Sequence, residues 1–220
     1  MAVLASSQWV NPCGGKRWRT LSNGAIEVEG EGVPVYSPTS LEHKYLTQTW
    51  NNWAPQFESS AARFGVPVTW ILAAATQETG LWSNNPQRQA TISSQDGYSS
   101  IGIMQPIPST ATMLGYNPAD RSDPQLNIDM GAKLLAKLVP IYPAGFPMIA
   151  AKYNARSVCN PGNDRFNLGG HKGQYVSNVI RYNNTALALG IGASSRSAWL
   201  WGVGSALGVL VVGLVALRHR

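Results

Sequence analysis

At 220 residues, 44% hydrophobic and 13% charged, the chain has material for one folded domain with appendages, and its apolar residues are concentrated towards the C-terminus. The net charge of +6 favours anionic partners such as cell-wall polymers, acidic lipid surfaces or nucleic acid, without choosing among them. Three scattered histidines, two cysteines and the absence of HExxH, CxxC and G-x-S-x-G patterns argue against metalloprotease, zinc-site and serine-hydrolase plans, so neither a metal nor a cofactor is expected.

Residues 1–53 read as an irregular N-terminal arm. The opening MAVLASSQWV lacks the basic start and sustained apolar run of a secretory signal. Residues 11 to about 40 are rich in Gly, Pro and Asn, and the alternation Ala25-Ile26-Glu27-Val28-Glu29 predicts a short strand or hairpin that docks on the domain or on a partner. Cys13 and Cys159 are expected to be free thiols, the alternative being a disulfide formed in an oxidising compartment.

In PQFESSAARF, Pro55 reads as a helix start, Phe57, Ala61 and Phe64 share one side, and Gly65 ends the helix. A second helix opens at Pro67. Within VPVTWILAAATQETG, Ile71, Ala74, Ala75 and Glu78 fall at i, i+3, i+4 and i+7, so Glu78 continues the apolar face. Burial and the negative end of the helix dipole are both expected to raise its pKa, as a general acid requires.

Gly102 to Gln105 reads as a tight turn that exposes an amide, followed by a helix that Ser109 or Thr110 could cap. Asp123 and Pro124 supply an N-cap and first-turn proline for a helix through Leu138. Tyr153 and Asn154 end a short helix after Pro147, and residues 157–172 form a loop that is either a lid or a surface connection.

After a linker at 191–197, residues 198–217 (AWLWGVGSALGVLVVGLVAL) are uncharged and, at the ~20 residues a bilayer requires, predict a single transmembrane helix. Trp199 and Trp201 would mark one interface and the basic tail 218–220 the other, while Gly204 and Gly208 offer a helix-pairing face.

The blocks Gln77-Glu78-Thr79-Gly80, Gly102-Ile103-Met104-Gln105, Ala151-Lys152-Tyr153-Asn154-Ala155 and Gln174-Tyr175-Val176, taken in this order, resemble the catalytic domain of soluble lytic transglycosylases, relatives of goose-type lysozyme. The resemblance covers residues 54–190. It implies a mainly α, lysozyme-like helical domain in which Glu78 is the catalytic acid and base. It also implies that Thr79, Met104, Gln105, Tyr153 and Asn154 line the glycan groove and that Tyr175 sits close to Glu78. Thr79 stands where that family usually has Ser, Pro106 where it has an aliphatic residue, and Arg156 where it has Gly.

The activity implied is cleavage of the MurNAc–GlcNAc β-1,4 bond of peptidoglycan, leaving a 1,6-anhydro-MurNAc end. One alternative is a hydrolytic muramidase using Asp96 to activate water. Another is a noncatalytic virion or membrane structural protein that keeps a wall-binding domain. Peptidoglycan strands are therefore the expected partner, with the membrane engaged through 198–217, and with a homo-oligomer or virion proteins as further partners; no specific nucleic acid is expected. A wall-cleaving domain, no visible signal and a membrane-seeking tail together predict a bacteriophage virion component acting in the host envelope, with the bacterial inner membrane facing the periplasm as the alternative.

Overall fold

A computed structural model of the chain describes residues 8–93, 99–154, 158–159, 165–168 and 174–192. The arm folds into a hairpin of β1 (Trp18–Thr20) and β2 (Ile26–Val28), paired antiparallel with Trp18 opposite Val28 and Thr20 opposite Ile26. Alternation works as predicted here. Trp18, Ile26 and Val28 are buried, whereas Arg19 and Glu27 pair on the outer face.

Among the described residues seven α-helices follow: α1 (Leu41–Phe64), α2 (Val68–Thr79), α3 (Pro86–Thr91), α4 (Pro108–Met113), α5 (Pro124–Leu138), α6 (Phe146–Asn154) and α7 (Tyr175–Ala188). Helix α2 is central, flanked by α1 and α7, with α5 and α6 closing the core. Nearly every residue from Val68 to Thr76 is buried, which explains why this stretch is apolar all round rather than along one stripe. Trp70 of α2 stacks on Phe146 of α6 with centroids 4.6 Å apart.

Helix α1 begins at Leu41, well before the start that Pro55 suggests. Ser40 caps it by accepting the His43 N–H at 3.1 Å. Pro55 lies inside the helix, where it removes a donor and crowds the preceding turn, and Trp53 answers with φ −134° and ψ 15°. The helix therefore bends at Trp53 instead of starting after it. Its far end does stop at Gly65, which adopts φ +66° and returns its N–H to Ala61. Helix α5 has the predicted ends, with Asp123 accepting the Leu126 N–H at 2.8 Å.

The arm is bound into the domain at several points. Asn184 of α7 accepts the Ile26 N–H and donates to the Ile26 carbonyl, both at 2.8 Å, and donates to the Pro34 carbonyl at 3.0 Å. Trp18 meets Phe166 edge-on at 5.9 Å, and Glu31 pairs with both Lys16 and Arg165. The expectation of free thiols is corrected: Cys13 and Cys159 form a disulfide with Cα atoms 5.2 Å apart. Nothing local announces this pairing across a separation of 146 residues; the hairpin and the segment carrying Phe166 bring the two ends together.

The expected single C-terminal transmembrane helix is also corrected. Among the described residues no helix is long and apolar enough to cross a membrane, and residues 198–217, on which that expectation rested, lie outside them.

Candidate active site

Glu78 sits half-buried in the last turn of α2, where the central helix passes into a 3-10 turn at Gly80–Trp82. Gly80 has an ordinary helical φ of −57°, so its lack of a side chain answers to space rather than backbone freedom. A Cβ there would lie 2.9 Å from Thr76 Cγ2 and 3.2 Å from Tyr45 Cβ. The glycine thus lets α1 approach the acid closely.

Two tyrosines surround the carboxylate. Tyr175, the first residue of α7, donates its hydroxyl to Glu78 Oε1 at 2.6 Å. Burial pushes its phenol well above the ordinary range, and the charge of Glu78 and the hydrogen bond to it act in the same direction. Tyr153 of α6 is raised by burial and then by the same carboxylate, so it too lies within electrostatic reach of Glu78. Both phenols stay neutral donors at any ordinary pH. Tyr153 directs its hydroxyl to the Met104 carbonyl at 2.7 Å.

The loop from Gly102 to Gln105 is held from three sides. Asn127 of α5, wholly buried, accepts the Met104 N–H at 2.7 Å and donates to the carbonyls of Ile101 at 2.9 Å and Arg121 at 2.6 Å. Gly102 has φ +82°, and a Cβ would fall 2.4 Å from Asn127 Nδ2, so conformation and space both require glycine. Thr79 donates its hydroxyl to the Ile103 carbonyl at 3.0 Å and so ties the acid's helix to the loop.

The residues expected in the groove therefore divide. Glu78, Tyr175 and Tyr153 come together. Thr79 is 2% exposed with its hydroxyl spent on backbone, and the Met104 side chain is wholly buried against Gly131 of α5, so what the loop presents at Met104 is backbone. Gln105, at φ +50°, donates its amide to the carbonyls of Ile92 at 3.0 Å and Gly102 at 2.7 Å and accepts from Ser100 at 2.9 Å. It closes its own turn. Asn154 keeps a buried Oδ1 with no hydrogen-bond partner among the described residues, an acceptor still open. Asp96 and Arg156 lie outside the described residues.

Sequence reasoning missed Asn127 and Gln89. Gln89, fully buried on α3, accepts from Trp53 Nε1 at 2.8 Å and donates to Thr49 Oγ1 at 3.1 Å and Thr79 Oγ1 at 3.4 Å. It joins the bend of α1 to the end of α2. Gln89 stands in no pattern that marks it, and Asn127 falls in the stretch read only as the start of a helix, because the partners of each come from other elements.

A carboxylate at the end of a central helix, gripped by a tyrosine from a later helix inside an almost wholly helical core, defines a lysozyme-like domain. Residues 55–162 match the family described as Transglycosylase SLT domain. Among solved structures, the chain is similar to the 70 kDa soluble lytic transglycosylase of Escherichia coli, with 18% identity and a TM-score of 0.52 over 69% of this chain and 30% of that one. An inactive mutant of the lytic transglycosylase Slt from Pseudomonas aeruginosa also matches, with 20% identity and a TM-score of 0.47 over 63% of this chain and 24% of that one. The chain thus spans under a third of the length of either, and the likeness to the first is one of fold.

Proposed function

We propose that the chain is a peptidoglycan lytic transglycosylase that cuts the MurNAc–GlcNAc β-1,4 bond and leaves a 1,6-anhydro-MurNAc end. The observation that carries this reading is the hydrogen bond from Tyr175 to Glu78 Oε1 within a chain that contains a transglycosylase SLT domain. With Oε1 held, the other carboxyl oxygen carries the proton. Glu78 gives that proton to the glycosidic oxygen as the bond to MurNAc C1 breaks, and the substrate's acetamido oxygen stabilises the cationic carbon. The MurNAc 6-hydroxyl then attacks C1 and returns its proton to Glu78. No water enters the balance, and one carboxyl group serves as acid and then as base.

The disulfide supports work in an oxidising compartment, outside a reducing cytoplasm. A phage particle is the delivery route we favour for a wall-cutting chain of this kind; its absence from purified particles by mass spectrometry would remove that part of the proposal.

Digestion of purified sacculi tests the activity. The full chain should release anhydro-ended muropeptides, one water lighter than their hydrolytic counterparts, and Glu78→Gln should slow release by about a hundredfold or more. Reducing ends in place of anhydro ends would favour hydrolysis. An undiminished rate in Glu78→Gln would overturn the assignment of the acid.

A further inference from the structure

The hairpin of the arm brackets the two helices whose tyrosines surround Glu78. Trp18 of β1 donates its indole N–H at 3.0 Å to the carbonyl of Ala144, two residues before α6, while Asn184 of α7 bonds both backbone groups of Ile26 in β2. Val10 extends the pairing with backbone bonds to and from Trp18 at 2.8 and 3.0 Å, so Cys13 lies in the turn that leads into β1. That turn rests on the connection from α6 to α7. The Lys16 N–H donates to the Arg165 carbonyl at 3.1 Å, and Asn11 Nδ2 donates to the Phe166 carbonyl at 3.0 Å. A Cβ on Gly15, at φ +81°, would fall 2.8 Å from the Arg165 oxygen, so the two backbones meet without room for a side chain.

The Cys13–Cys159 disulfide closes this same contact covalently. Helix α6 ends at Asn154, one residue after Tyr153, and α7 opens on Tyr175, so Cys159 stands on the connection whose two ends carry the phenols beside Glu78. Among the described residues Gln174 supplies no side-chain cap to α7, so the place of Tyr175 depends on how the chain enters the helix. Without the disulfide the turn keeps the edge contact of Trp18 with Phe166 and the ion pairs of Glu31 with Lys16 and Arg165, which solvent weakens. The bond is also within reach of other thiols: Cys159 is exposed and Cys13 half-buried, and exposed disulfides are the ones that exchange.

We propose that the Cys13–Cys159 bond is a redox latch on the acid: closed, it holds the entry to α7 so that Tyr175 stays on Glu78, and open, it lets that hydroxyl leave the carboxylate. The latch rests on the peptidoglycan reading for its effect on cutting. Opening takes a dithiol reductant. One of its thiolates attacks Cys159 Sγ and displaces Cys13 as a thiolate; its second thiol then displaces Cys159, so two electrons and two protons pass to the cysteines and the reductant leaves as a disulfide. Closing runs the exchange backwards against a disulfide oxidant. A chain among reducing thiols therefore holds its acid loosely, and one outside them holds it fixed.

Sacculus digestion by the full chain with and without dithiothreitol, below the melting temperature of the reduced form, tests the latch. Reduction should slow muropeptide release about tenfold, the loss expected when one hydrogen bond to a charged group goes, and oxidised glutathione should restore the rate. Cys13→Ser combined with Cys159→Ser should match the reduced chain and ignore reductant. Tyr175→Phe separates the latch from a general loosening: with the hydroxyl gone, reduction should slow release by no more than about a further twofold. An equal proportional loss in that variant would overturn the latch, because reduction would then act on the fold at large; so would an undiminished rate in the reduced chain. Hydrogen exchange reads the same event without substrate. The Asn178 amide, which closes the first turn of α7 on the Gln174 carbonyl at 2.8 Å, should exchange faster after reduction, and unchanged exchange there would overturn the latch. Absence of cutting in either state, with the exchange difference present, would overturn the peptidoglycan reading and leave the latch standing.

Discussion

Replacing Asn127 by alanine removes three hydrogen bonds at once from a fully buried position: the Met104 N–H loses its acceptor, and the carbonyls of Ile101 and Arg121 lose their donor. At about 1 kcal/mol net for each bond, the loss comes to about 3 kcal/mol. For a domain of this size that corresponds to a fall in melting temperature of roughly 6–12 °C. Asn127→Asp makes a sharper variant, because it keeps the acceptor for Met104 and turns the donor into an oxygen facing two carbonyls; it should be no more stable than the alanine variant. Calorimetry on the full chain measures both. Sacculus digestion below the melting temperature should also slow, since Asn127 fixes the Met104 backbone, whose carbonyl accepts the hydroxyl of Tyr153. Melting of Asn127→Ala within about 2 °C of the unaltered protein would refute the claim that this side chain holds the loop.

Tyr175→Phe removes the donor to Glu78 while leaving the ring, and should reduce kcat by about tenfold or more with little effect on KM; an unchanged kcat in muropeptide release would show that the bond is idle. Because Tyr153 and Tyr175 are both raised on folding, the folded chain keeps their protons above the ordinary tyrosine pKa while the unfolded chain loses them. Their contribution to stability is therefore complete below about pH 10 and falls as pH rises beyond it, which urea titrations across that range would register. Cys13→Ser, or reduction, opens a closure of 146 residues and should cost up to about 5 kcal/mol by loop entropy; melting curves with and without reductant that coincide would exclude a stabilising role.

Where local chemistry decides the structure, the sequence was legible. Asp123 and Pro124 mark the start of α5 because a cap and a first-turn proline act within four residues. The placing of Glu78 on the core side of α2 followed from spacing alone. Helix α1 was hidden for a different reason: its buried face runs Leu46, Thr49, Trp53, Phe57, Ser60, and two of those five are polar. Thr49 is buried because Gln89 bonds it, and Ser60 because Asp129 accepts its hydroxyl at 2.6 Å beside Arg63. Polar groups satisfied by distant partners break an apolar period without breaking the helix. Met104 and Thr79 illustrate the same limit at the site. Their residue types suit a groove, and only the tertiary contacts with Gly131 and Ile103 reveal that they face inward.

The grip of α7 on both the acid and the arm has a consequence for how the chain is made. Glu78 emerges from the ribosome about a hundred residues before Tyr175, and the arm long before Asn184 and Cys159 exist to receive it. Contacts so distant in sequence form late in folding. A nascent chain that already displays its carboxylate still lacks the hydroxyl that fixes it, so the candidate site is assembled only once α7 has been made and has docked.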